Sequence, residues 1–178
     1  VARVIERLGG RSMAIYPKGK ATGELLEELL ELEDIAQVPV PIGEGTRQNL
    51  VVKEESSGQQ YRICMPGPRL SEGEWRRCLD EVMSADPTPE YIVASGSLPP
   101  GAPDDLYARL ARAARERDIR LIVDTSGDAL RAAAEVGVYL LKPNMRELGQ
   151  LAGSDIGDEE EQEEAIRKLV ERERAEVV

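Results

Sequence analysis

The sequence predicts an α/β fold: a parallel sheet with helices on both faces, carrying a small antiparallel β lid. Three observations point there. From Tyr91 onward, short continuous apolar runs alternate with amphipathic helical stretches, the pattern of repeated βαβ units. Between Gln37 and Met65 the apolar period switches to two, and no helix signal occurs. The 178 residues are 41% hydrophobic, enough for one ordinary domain or one domain with a small appendage.

Taken in order, residues 1–8 (VARVIERL) place Val1, Val4, Ile5 and Leu8 on one helical face, and Gly9-Gly10 ends that helix, so the chain opens in mid-element. Ser12–Tyr16 reads as a short strand, and Gly23–Leu32 as an amphipathic helix of leucines among glutamates. The stretches "QVPVPI", "RQNLVVKE" and "QQYRICM", separated by "GEGT" and "ESSG", read as the antiparallel unit, with Ser57-Gly58 at a tight hairpin. Ser71-x-x-Glu74 forms a capping box for a helix reaching about Met83. Strand Tyr91–Ala94 is followed by helix Pro103–Arg117, strand Leu121–Val123 by helix Ala129–Ala134, and strand Val138–Leu141 by helix Asn144–Ala152. A charged helix over Asp158–Arg172, its acids suited to a helix start, leads into "AEVV", the beginning of another strand. The expected organisation is a core of residues 1–36 and 66–178 with a lid of residues 37–65.

Composition narrows the function. A net charge of −11 argues against nucleic-acid binding and attraction to anionic membranes, both of which need clustered Lys and Arg. Cys64 and Cys78 lack the spacing of a disulfide framework and read as reduced, which places the chain in the cytoplasm. No apolar run approaches the ~20 residues of a membrane span. With no His, any chemistry falls to carboxylates, Lys, Ser, Cys or a bound ion.

Three predicted strands end in unusual chemistry: "SGSLPPG", "DTSG" and "KPNMRELG". In a parallel α/β sheet, ligands bind beyond the carboxyl ends of strands, so these segments would be neighbours. Asn144 and Glu147 suit a helix N-cap, yet with Lys142 beside them they also suit a Mg²⁺-bound polyphosphate. Asp124 either caps the following helix or serves as a carboxylate near a metal. Ser95-Gly96-Ser97 is either a plain turn shaped by Pro99 and Pro100 or a ligand loop. Arg47 in "GTRQN" is either a solvated charge or, in an acidic chain, the fork for an anionic substrate.

In this order, "GTRQNLVV", "SGQQYRICMPGPRLSEGEW", "SGSLPPG", "DTSGDAL" and "LLKPNMRELGQLAG" resemble the ribokinase-like carbohydrate kinases of the phosphofructokinase-B group, along the whole of residues 1–178. Within that group the chain is most similar to the minor bacterial 6-phosphofructokinase type. "YRICMPG" favours that branch over 1-phosphofructokinase or tagatose-6-phosphate kinase. The resemblance implies transfer of the γ-phosphate of ATP, with Mg²⁺, to the 1-hydroxyl of fructose 6-phosphate, and a homodimer formed through the lid. It implies that Arg47 binds the sugar phosphate, that Gly96 and Ser97 line the sugar site, and that Lys142 and Asn144 face ATP. Glu147 and Asn144 would organise Mg²⁺ through water, with Asp124 near that network.

Departures qualify the match. The family's Asp and Gly-Gly-x-Gly-x-Asn segment belongs before Val1, and its G-A-G-D signature, with the catalytic base, belongs after Val178. The expectation is therefore a middle segment, inactive alone. Lys20 stands where the family usually has a second glycine, which puts the local backbone in question. Two rival readings are a non-catalytic fragment that dimerises through Gln37–Met65, and a dinucleotide-binding oxidoreductase; the latter lacks a G-x-G-x-x-G after its first strand.

Overall fold

The computed structural model describes residues 1–178, which separate into two compact units: residues 1–82 with 99–102, and residues 83–98 with 103–178.

The first unit begins with α1 (Ala2–Arg7), where Val4 and, at the C-cap, Leu8 lie exposed. Then β1 (Met13–Lys18), α2 (Lys20–Glu31) and β2 (Ala36–Pro41) form a βαβ crossover, with β2 parallel to β1 from Met13↔Ala36 to Lys18↔Pro41. This corrects the sequence reading, which placed "QVPVPI" in the antiparallel unit. Val38 and Val40 alternate with period two on a parallel strand as they would on an antiparallel one, so the pattern does not report strand direction. Antiparallel pairing is confined to β3 (Asn49–Lys53) and β4 (Gln60–Cys64), in register from Asn49↔Cys64 to Lys53↔Gln60. Gly58, at φ 71°, closes the hairpin by donating its N–H to the Glu54 carbonyl at 2.8 Å. Helix α3 (Glu72–Met83) buries Trp75; Ile35, Val40, Ile42 and Leu70 are the other buried apolar residues of this unit. In α2 only Gly23 is fully buried; Leu25 and Leu29, and Leu32 at its C-cap, are exposed.

The second unit is a four-stranded parallel sheet of β5 (Tyr91–Ser95), β6 (Arg120–Asp124), β7 (Val138–Leu141) and β8 (Ala175–Val177), in that spatial order. The connections are α4 (Leu106–Glu116), α5 (Gly127–Val136), and the pair α6 (Met145–Ala152) and α7 (Glu159–Glu171). Right-handed crossovers between strands in sequential order put successive helices on one side; accordingly α4 packs on α5, α5 on α6, and α6 on α7. Ile92, Ala94, Leu121 and Val123 are buried, while the alternate residues Val93 and Ile122 are half-buried. A chain without Phe fills this core with small residues. Ala108, Ala111 and Ala114 of α4 and Ala129, Ala133 and Ala134 of α5 are all buried, which lets helices and sheet approach closely.

Candidate functional site

Every site residue expected from the sequence except Arg47 lies in the second unit, at the carboxyl edge of its sheet. Pairing in register sets Ser95 beside Asp124 at the ends of β5 and β6, and Val123 beside Leu141, so Lys142 leaves the sheet next to Asp124. The Lys142 ammonium lies 3.2 Å from the Asp124 carboxylate. Lys142 is largely exposed and Asp124 half-exposed, so the pair adds little stability and its ammonium is free to exchange partners. Asp124 does not cap α5. That position belongs to Ser126, whose side chain makes no cap bond.

The loop after β5 is held on both sides of one residue. Gly96, at φ 105°, donates its N–H to the Asp124 carbonyl at 2.8 Å, and its own carbonyl accepts from the Tyr107 hydroxyl at 2.9 Å. A side chain at Gly96 would be strained by that φ. Ser97 follows, exposed, with neither its amide nor its hydroxyl engaged within the chain.

At the start of α6 the capping reading holds in full. Asn144 Oδ1 accepts from the Glu147 N–H at 3.0 Å, and Glu147 Oε2 accepts from the Asn144 N–H at 2.9 Å. The box occupies one oxygen of Glu147 and leaves the other available, together with the second lone pair of Asn144 Oδ1 and the Asn144 side-chain NH2.

Arg47 belongs to the first unit and follows a tightly bound turn. Gly19 and Thr46 exchange bonds, Gly19 N–H to Thr46 Oγ1 and Thr46 N–H to the Gly19 carbonyl, both at 3.0 Å. Gly43 N–H donates to Glu74 at 2.6 Å and Arg69 N–H to Glu44 at 2.6 Å. The Arg47 guanidinium is exposed and has no partner, which leaves its fork open to an anion.

Does this set fit ATP with Mg²⁺? No three carboxylate or Cys side chains converge in a way that could hold a metal ion by themselves. Mg²⁺ in kinases is instead held by one or two carboxylates, water and phosphate oxygens, and Asp124 and Glu147 supply that number. Thr125 gives an independent indication. Its residue is 6% exposed and its Oγ1 has no partner, a buried hydroxyl left unsatisfied next to Asp124 and the uncapped start of α5. The residues fit. Sequence reasoning missed Thr125 and Tyr107: "DTSG" read as a helix start, and a lone Tyr in "DDLYARL" gives no signal without its tertiary partner.

A parallel sheet that sets a carboxylate, a lysine and a glycine-shaped hydroxyl loop on adjacent strand ends defines an α/β protein with its ligand site at the carboxyl edge. The chain belongs to the pfkB family of carbohydrate kinases, whose profile matches residues 1–178. It is 43% identical over its whole length to the ATP-dependent 6-phosphofructokinase isozyme 2 of Mycobacterium tuberculosis, covering 52% of that protein. To the isozyme 2 of Escherichia coli K12 it is 42% identical over 171 residues, 96% of this chain and 55% of the relative. Bacillus subtilis 1-phosphofructokinase is more distant, 31% identical over 172 residues. The structure of phosphofructokinase-2 from Escherichia coli in complex with fructose-6-phosphate superposes with a TM-score of 0.93 at 41% identity, over 99% of this chain and 59% of that one. The chain thus spans about half the length of the relatives it matches.

Proposed function

We propose that these residues serve an ATP-dependent kinase that transfers the γ-phosphate to the 1-hydroxyl of fructose 6-phosphate. The observation that carries this reading is the Asp124–Lys142 pair set in register beside the Gly96–Ser97 loop, in a chain of this family. Arg47 would fork the phosphate of the sugar, and Ser97 would give its free amide and hydroxyl to the sugar's oxygens. Lys142 would exchange the Asp124 carboxylate for phosphate oxygens of the nucleotide, with Asn144 beside it. Glu147, through its remaining oxygen, Asn144 and Asp124 would hold Mg²⁺, in part through water. Bound there, MgATP supplies the transferred phosphoryl group and neutralisation of its charge. None of these side chains is assigned as the base for the sugar hydroxyl. The residues therefore position and stabilise charge, which is most of what phosphoryl transfer requires.

Residues 37–65 would serve as a lid through their β3–β4 hairpin, pairing with a second copy in a homodimer, and the protein would work in the cytoplasm. No helix is long and apolar enough to cross a membrane. Steady-state kinetics of the intact enzyme test the reading. Arg47→Ala should raise KM for fructose 6-phosphate about tenfold or more, the size of a lost charge-assisted hydrogen bond, and leave KM for ATP near its wild-type value. An unchanged KM for the sugar phosphate would remove Arg47 from the site. Preference for fructose 1-phosphate or tagatose 6-phosphate would move the assignment to a neighbouring branch, and absence of turnover and of ligand binding would favour a non-catalytic dimerising role.

A further inference from the structure

Gly96 is tied on both sides, to the strand that carries Asp124 and to the helix that follows its own loop. Its N–H is tied to the last carbonyl of β6, on the residue whose carboxylate pairs with Lys142. Its carbonyl is tied to the second residue of α4, Tyr107. The peptide joining Gly96 to Ser97 is trans, so its carbonyl and its N–H point in opposite directions. Whatever holds the Gly96 carbonyl against α4 therefore turns the Ser97 N–H away from α4. Glycine has no side chain to restrict this peptide, and at φ 105° it could reorient at little cost. The chain supplies one restraint on that carbonyl, the Tyr107 hydroxyl.

Resting on the functional reading above, we propose that Tyr107 is a positioning residue for the sugar phosphate: its hydroxyl fixes the Gly96–Ser97 peptide so that the Ser97 amide and hydroxyl are presented to the substrate. The rest of Tyr107 is suited to the task. It is half-buried on α4, which holds the ring in place, and burial pushes the phenol above its ordinary pKa of 10.0, so the hydroxyl remains a donor throughout the neutral range. The bond joins a helix to a loop and adds no contact with the substrate itself.

Tyr107→Phe removes the donor and keeps the ring. In the intact enzyme it should raise KM for fructose 6-phosphate about fivefold, the order of one neutral hydrogen bond, with KM for ATP changed less than twofold and the melting temperature nearly unchanged. In a double-mutant cycle, Tyr107→Phe should cost less once Ser97→Ala has removed the hydroxyl it presents, the remaining cost reporting the amide that alanine keeps. Amide exchange in the unliganded protein gives a reading independent of turnover: Gly96 N–H, held by the Asp124 carbonyl on the other side of the same Cα, should exchange about tenfold faster in Tyr107→Phe, as the loop after β5 loosens. A merely structural role predicts a lower melting temperature with both KM values moved alike, or neither. That pattern, or unaltered exchange at Gly96, overturns the positioning role. If wild-type enzyme does not saturate with fructose 6-phosphate, the functional reading fails and this inference with it. If it saturates normally and Tyr107→Phe is indistinguishable from it, only the inference about Tyr107 fails.

Discussion

At Gly19 and Lys20, two adjacent residues answer a question of local backbone that the sequence raised. A Cβ on Gly19 would stand 1.7 Å from the Glu44 carbonyl oxygen, so no larger residue fits between β1 and the turn that precedes Arg47. Lys20, where the family resemblance led to the expectation of a glycine, adopts the left-handed conformation a glycine would take, at φ 54°. An L side chain there costs on the order of 1 kcal/mol. Lys20→Gly relieves that cost while giving the unfolded chain more freedom, so thermal unfolding should show a melting temperature equal to or above wild type. Lys20→Val, branched at Cβ, should lower it by an amount equivalent to 1 kcal/mol or more. Equal losses in both would mean that the lysine side chain itself stabilises the fold. For Asn144 and Glu147, capping and ligand binding stood as alternatives on spacing alone; the structure shows the cap and leaves one Glu147 oxygen for other work.

Among elements, helix starts were legible because their signals are local, and strand partners were not. Ser71 and Glu74 mark the start of α3 within four residues, and the structure adds a contact that no local pattern contains: Glu74 accepts from the Ser71 N–H and hydroxyl, each at 2.7 Å, and also from the Gly43 N–H. These bonds, the Ser71 hydroxyl first, hold the Glu74 carboxyl below its ordinary value of 4.5. A carboxylate with a depressed folded pKa contributes stability above its unfolded pKa and loses it as pH falls through the folded value. Glu74→Ala should therefore cost about 1 kcal/mol near neutrality, as cap losses do. In urea titrations the gap to wild type should narrow below pH 4.5; a gap independent of pH would show that the ionised carboxylate is not what stabilises this junction. The direction of β2 lay beyond such reasoning. Alternation in "QVPVPI" marks a strand with two unequal faces, and its partner is chosen by the crossover through α2.

For the molecule as a whole, the β3–β4 hairpin is the feature least able to stand by itself. All ten of its strand residues are exposed, including Leu50, Val52, Tyr61 and Ile63 at 43–56%. Register puts Leu50 opposite Ile63 and Val52 opposite Tyr61, so these four share one apolar face. Two strands alone are marginal in water, which is the physical support for a lid that pairs with a second copy. Leu50→Lys combined with Ile63→Lys should convert a dimer to a monomer in sedimentation velocity while the far-ultraviolet circular dichroism stays that of a folded α/β protein. A variant that remains dimeric would place the interface elsewhere.

What the sequence by itself determined is the set of elements and the family: apolar period, capping residues and glycine turns act over a few residues and can be read in line, and ordered motifs along all 178 residues carried the resemblance. What only the tertiary structure decided is which groups meet and which are already engaged. The parallel partner of β2, the unsatisfied hydroxyl of Thr125, the free guanidinium of Arg47 and the hold of Tyr107 on Gly96 all depend on residues far apart in the chain. Hydrogen bonding and burial are properties of neighbours in space, and a linear pattern specifies those neighbours only after the sheet has set its register.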